Sequence, residues 1–173
     1  MKRKNYTINP KRKLYLAYGS NLSEEQMAYR CPDATIVGRA VVNDYELLFK
    51  GSKTGSYATI EPKKGGKVPV LVWSITPKDE ARLDMYEGFP TFYYKKDLQV
   101  EIESLDQEPL GAEKAMVYIM DEKRPFGIPS KLYYGVLHNG YKDFGFDLEI
   151  LEHGLMKSCK AMYKGTAPKK EVL

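Results

Sequence analysis

LYLAYGSNLSEEQM, residues 14–27, is the stretch on which the reading of this chain turns. Its first five residues are a short apolar run, the pattern of a buried strand. Gly19, Ser20 and Asn21 then supply turn chemistry. Ser23 stands as a helix N-cap with Gln26 three residues on, the spacing of a capping box. The order is therefore strand, tight turn, short helix. A turn of this kind presents backbone N–H groups to whatever lies above it, and such groups bind anionic or carbonyl oxygens. Gly19 allows close approach to the backbone. The stretch has no GxxxxGK[ST] and no GxGxxG, so a nucleotide-phosphate loop of either kind is excluded.

Outward from it, ATIVGRAVV (34–42), YELLFK (45–50), YATIEP (57–62) and VPVLVWSI (68–75) read as strands. KKGGKV (63–68) reads as a turn between two of them. TPKDEARLDMYEG (76–88) is the clearest helix: Thr76 can cap it, Pro77 fits its first position and Gly88 its end. FYYKKDLQVEIE (92–103) and KAMVYIM (114–120) complete the strands. Residues 130–144 and 147–164 read as helices, with Leu148, Leu151, Leu155 and Met156 as the core-facing stripe of the second. Many strands followed by helices imply an α+β fold with a curved or closed, antiparallel-rich sheet. Residues 1–13 read as a basic flexible arm, 14–164 as a single domain and 165–173 as a flexible tail.

The 173 residues suit one domain with a substantial core. The formal charge of +4 is local to the arm. Its 13 residues hold six of the 27 Lys and Arg and no acid, leaving 21 basic against 23 acidic side chains elsewhere. A nucleic-acid footprint over the domain is thus not expected. Cys31 and Cys159 form no CxxC and no metal pattern with His138 and His153, so no metal centre and no disulfide framework are expected. Together with the lack of an apolar run long enough to span a bilayer, this reads as a cytoplasmic protein without membrane contact. Oligomeric state is open, a homo-oligomer included.

A second constellation lies at DEARLDMYEGFP, residues 79–90. Glu87 closes a helix, where the dipole disfavours a carboxylate. Tyr86, Phe89, Phe92, Tyr93 and Tyr94 crowd it in sequence. Such an acid is either an ordinary solvated end residue or one whose proton affinity is raised, as a general base requires. Tyr93 and Tyr94 point to opposite faces of a strand, so one of them at most faces a pocket.

YGSNL after an N-terminal strand, with a later EGFP and its following tyrosines, resembles the gamma-glutamylcyclotransferase-like family. So do Gly38-Arg39, Tyr57-Ala58-Thr59-Ile60, Val70–Ser74 and the C-terminal Pro129-Ser130, Tyr133 and Gly140. The resemblance covers roughly residues 14–155. It implies a small mixed β-barrel with flanking helices, a small γ-glutamyl substrate, no cofactor, and Glu87 as catalytic acid/base. It implies a substrate cradle of Tyr18, Gly19, Ser20, Asn21 and Leu22, with Tyr15 and Ala17 behind it. A phenol from Tyr93 or Tyr94 would hold the substrate, with Tyr118 and Tyr133 as further wall candidates. Arg39 either pairs with a surface acid or stands near the pocket mouth, where it could attract a carboxylate, and 50–56, 62–67 and 122–130 are candidate mouth loops. The implied reaction is an acyl-transfer or lyase-type cyclisation of a γ-glutamyl amide to 5-oxoproline. The alternatives are a different leaving group or a binding protein of the same fold without turnover.

Overall fold

A computed structural model describes Asn9 and residues 11–166. Five strands are arranged in the closed order β1-β3-β2-β4-β5. They are β1 (Lys13–Ala17), β2 (Thr35–Ser52), β3 (Gly55–Ile75), β4 (Tyr93–Glu103) and β5 (Pro109–Met120). Neighbours pair antiparallel except β1 and β5, whose parallel contact at Tyr15 and Met116 closes the barrel. The helices are α1 (Glu24–Arg30), α2 (Pro77–Glu87), α3 (Lys131–Asp143) and α4 (Leu148–Thr166). Both faces of the strands are buried, one in the barrel and one under the helices; Leu16, Phe49, Ile60, Leu71 and Ile119 are all essentially inaccessible. The expected mixed, antiparallel-rich barrel with flanking helices is the fold observed.

Four expected strand segments are two long strands. β2 and β3 form one hairpin that turns at Lys53 and Thr54. KKGGKV, expected as a turn, is instead a bulge inside β3. Asn43 pairs with Lys67 but Tyr45 pairs with Pro62, so residues 63–66 are extruded. Asp44, at φ 60°, anchors the bulge by accepting the Gly65 N–H at 2.8 Å. Local turn chemistry is present, yet pairing continues past it. β2 meets β4 only at Arg39–Glu103 and Ala40–Ile102. Gly38 permits that crossing, because a Cβ there would lie 2.0 Å from the Glu103 carbonyl oxygen.

α4 packs on β2 through Leu148, Leu151 and Leu155. Ser158 extends the stripe and accepts the Phe49 N–H at 2.8 Å. Met156 does not belong to it: at 53% exposure it faces outward, because the stripe steps i, i+3, i+7, i+10 and gives its last place to Ser158. Of the basic arm, Arg12 and Lys13 are tied to the body. Arg12 Nε donates to Ser74 Oγ at 2.8 Å, and Lys13 opens β1 and pairs with Glu80. The rest of the expected arm, apart from Asn9 and Lys11, lies outside the described residues. α4 runs to Thr166, and residues 167–173 of the expected tail also lie outside them. No helix among the described residues is long and apolar enough to cross a membrane.

Candidate active site

α2 is bounded as its sequence requires. Thr76 and Asp79 form both halves of a capping box. Gly88, at φ 65° and ψ 36°, ends the helix in the left-handed conformation that glycine adopts without steric cost. Its N–H, and that of Phe89, return to the last turn. Glu87 is thereby fixed as the last helical residue. The residue is only partly covered, but its carboxylate turns inward, where Oε1 accepts from Asn21 Nδ2 at 3.2 Å.

Asn21 belongs to a single 3₁₀ turn, Ser20–Leu22, entered from β1 through Tyr18 and Gly19. Its backbone is fixed by Trp73, whose indole N–H donates to Asn21 O at 3.1 Å. The turn's first internal bonds are Leu22 N–H to Gly19 O and Ser23 N–H to Ser20 O. The N–H groups of Gly19, Ser20 and Asn21 precede them and have no partner inside the turn. Ser23 then caps α1 by accepting the Gln26 N–H. The reciprocal half of that expected box is absent, and Gln26 Oε1 is buried without a partner.

Between the turn and the end of α2 lies a cavity of about 400 Å³, a size suited to a small metabolite. Tyr15, Tyr18, Gly19, Ser20, Asn21 and Glu87 line it, with Tyr93 and Tyr118 from β4 and β5. Tyr57, Ala58, Met85, Tyr86, Gly88, Phe92 and Tyr133 complete the wall. Burial pushes the Glu87 carboxyl up to about 7, against the opposing pull of the Arg30 charge and the Asn21 hydrogen bond. The expected rise is therefore present, with desolvation as its main cause. The surrounding phenols are pushed further up, again mainly by burial. They are neutral near pH 7, so Glu87 is the acid of this cavity that titrates there.

Several of these phenols are already committed. Tyr18 donates to Tyr118 O at 2.6 Å, Tyr118 to Asp84 Oδ1 at 2.5 Å, and Tyr93 to Ala58 O at 2.8 Å. Tyr15 accepts from Asn21 Nδ2 at 2.8 Å, and Tyr133 accepts the Ala58 N–H at 3.1 Å. These two keep their own protons for a ligand. Gly19 lies under the Tyr133 hydroxyl, which a Cβ there would approach to 3.2 Å.

Of the expected site residues, Glu87, Tyr15, Tyr18, Gly19, Ser20, Asn21, Tyr93, Tyr118 and Tyr133 all line this cavity. Three do not. Ala17 sits in β1 opposite Leu71, with its side chain in the core. Leu22 points away and packs on Gly140 of α3. Tyr94 faces solvent at 36% exposure, since strand alternation gives the inward place to Tyr93. Of the two readings of Arg39, the surface ion pair is the one observed: it pairs with the half-exposed Glu103 and donates to Phe144 O, away from the mouth. Residues 62–67 are not at the mouth either, since the bulge lies beside α4. Sequence reasoning missed Arg30, Met85 and the cavity-facing role of Tyr57, none of which sits in a local pattern that marks a site. Among the described residues no group of His, Cys, Asp and Glu is placed to hold a metal ion.

A closed barrel thus sets one carboxyl of raised proton affinity against a glycine-serine-asparagine turn, inside an aromatic cavity of small-molecule size. Residues 15–141 match the model of the family described as gamma-glutamyl cyclotransferase, AIG2-like, and the chain belongs to that family. It is 34% identical over 149 residues to the gamma-glutamylcyclotransferase of Homo sapiens, covering 80% of this chain and 75% of that one. Against the Bos taurus gamma-glutamylcyclotransferase it is 32% identical over 143 residues, covering 79% and 73%. A solved gamma-glutamyl cyclotransferase structure matches with a TM-score of 0.68 at 29% identity, over 82% of this chain and 85% of the other. The chain is an enzyme of this class, as the YGSNL and EGFP resemblance led us to expect.

Proposed function

We propose that the protein converts a γ-glutamyl amide into 5-oxoproline and a free amine, with Glu87 as the single acid/base. The observation that carries this reading is the Glu87 carboxyl, raised to about 7 and facing the 18–22 turn across the cavity. The substrate's α-ammonium must lose a proton before its nitrogen can attack. Near pH 7 about half of Glu87 is in the basic form, so it can take that proton. The nitrogen then attacks the γ-carbonyl carbon and closes a five-membered ring. The oxyanion that forms is met by N–H donors, for which the Gly19–Asn21 turn is the supply. Collapse breaks the original amide bond: protonated Glu87 gives its proton to the departing nitrogen, and the ring nitrogen gives up its second proton to the ionised carboxylate, from which it leaves with the amine as an ammonium ion.

The attack is intramolecular, so the main task of the cavity is to hold amine and carbonyl close together. Tyr15 and Tyr133, with protons uncommitted, can donate to substrate oxygens. Both cysteines are free thiols, in keeping with the cytoplasm as the working compartment. The test is release of 5-oxoproline from a panel of γ-glutamyl amino acids, γ-glutamylamines and γ-glutamyl-lysine. Wild type is expected to release it from at least one, with the ranking of amines revealing the leaving group. Release from none would remove the reading.

A further inference from the structure

Arg30 was not singled out by any motif, yet it ends α1 ten residues after Ser20 and folds back onto the turn. A single nitrogen, Nη1, donates to Asn21 Oδ1 at 2.7 Å and to Ser20 Oγ at 3.1 Å. The guanidinium lies 3.8 Å from the centroid of the Tyr86 ring, one residue before Glu87. One cation thus ties the substrate turn to the end of the helix that carries the acid. Its place at the C-terminus of α1 is also favourable for a positive charge.

We propose that Arg30 is a positioning residue for Glu87, acting through the side chain of Asn21. An asparagine amide has two faces, one a donor and one an acceptor, and its neighbours decide which way it lies. Arginine can only donate, so the Asn21 oxygen must face Arg30. That orientation aims Nδ2 at Glu87 Oε1 (3.2 Å) and at the Tyr15 hydroxyl (2.8 Å). A flipped amide would set two donors against each other at Arg30 and two acceptors against each other at Glu87. Without Arg30 the ionised Glu87 carboxylate alone favours that orientation, and once Glu87 is protonated and able to donate, nothing else in this network does. The Glu87 carboxyl is then held less firmly toward the turn.

The charge of Arg30 acts in the same direction. The groups facing Glu87 are the phenols of Tyr15 and Tyr18 on the β1 side, Tyr93 on β4, Tyr118 on β5 and Tyr133 on α3. The Cys31 thiol, pushed up to about 12 by burial, joins them from the end of α1. All are neutral near pH 7, and Arg30 is the cation that favours the ionised carboxylate.

The inference rests on Glu87 being the acid/base, and the experiment separates the two. Arg30→Met, Arg30→Lys, Asn21→Ala and the Arg30→Met/Asn21→Ala double variant are compared with wild type. The readouts are 5-oxoproline release against pH and, independently of turnover, the Glu87 carboxyl titration followed by ¹³C NMR. Arg30→Met is expected to move the Glu87 midpoint and the acid limb of kcat/KM together to higher pH. It should also lower kcat/KM by roughly 10- to 100-fold, the worth of a hydrogen bond to a charged group. Arg30→Lys should bring the midpoint back toward wild type. In the Asn21→Ala background, removing Arg30 should lower the rate much less than in wild type. An unmoved midpoint in Arg30→Met, or losses that multiply fully in the double variant, would overturn the proposal. Full release by Glu87→Gln would instead remove the acid/base reading, while the NMR midpoint would still report on Arg30.

Discussion

The two ends of α2 each carry an acid, and the two acids are treated in opposite ways. At the N-terminus Asp79 is fully buried, and its Oδ2 accepts both the N–H and the hydroxyl of Thr76, at 3.0 and 2.8 Å. The helix dipole favours a negative charge there. At the C-terminus Glu87 faces the unfavourable end of the dipole. Its hydrogen bond from the protein is one 3.2 Å contact from a neutral amide. Asp79 is spent on starting a helix. Glu87 is held loosely enough to exchange a proton, and burial sets its affinity near 7. Eight positions along one helix separate a capping carboxylate from one whose proton affinity burial raises.

The sharpest way to break that contrast is Glu87→Gln. Release of 5-oxoproline should fall by at least ~10²–10⁴-fold, the usual worth of general acid/base transfer, while the far-UV spectrum and substrate affinity are retained. Wild-type activity in this variant would make both acids structural.

The same substitution should change how stability depends on pH. The folded protein holds the Glu87 proton up to about 7, whereas the group's ordinary value is 4.5. Between these values the folded state binds a proton that the unfolded state has lost, so wild-type stability declines as pH rises through the window. Glutamine has no such dependence. Glu87→Gln should therefore gain on wild type from pH 4.5 upward and level off above pH 7, by up to about 3 kcal/mol. Urea titrations at pH 4.5, 6 and 8 would measure it, and a gap independent of pH would contradict the raised affinity.

Asp79→Ala should do the reverse. Loss of half a capping box costs about 1–2 kcal/mol, visible in a thermal melt. The acid limb of the rate profile should stay put, because the two acids lie about 12 Å apart along the helix axis. A moved limb would mean that the two ends are coupled.

Much of this contrast was legible before any coordinates. Thr76, Pro77 and Gly88 are local signals, and both helix ends fall where they say. Glu87 stands out because its position violates a local preference, but its acid/base role comes only with the YGSNL and EGFP resemblance. KKGG was read as a turn because glycine pairs mark turns, whereas the pairing of Asn43 with Lys67 and Tyr45 with Pro62 carries the strand past it. Arg30 was invisible for a related reason. A basic residue at the end of a short helix is ordinary, and its contact with Asn21 exists only once the turn has folded back. Met156 fitted a helical stripe by spacing, but which face of α4 meets β2 depends on the packing around Ser158.

The lesson of α2 extends to the tyrosines that bracket Ala58. Tyr93 spends its proton on the Ala58 carbonyl, while Tyr133 accepts the Ala58 N–H and keeps its proton. Tyr94 is turned outward. Tyr93→Phe should therefore act mainly on the fold, costing about 1 kcal/mol because the buried carbonyl loses its partner. Tyr133→Phe should act mainly on the reaction, lowering kcat/KM several-fold with a smaller effect on stability. Tyr94→Phe should change neither beyond error. Thermal melts and kinetics on the three variants decide it. If Tyr93→Phe lost activity without losing stability, its phenol would have to reach the substrate despite its bond to Ala58. A hydroxyl already committed within the protein would then be no poorer a substrate contact than a free one, which would undo the distinction that separates Asp79 from Glu87.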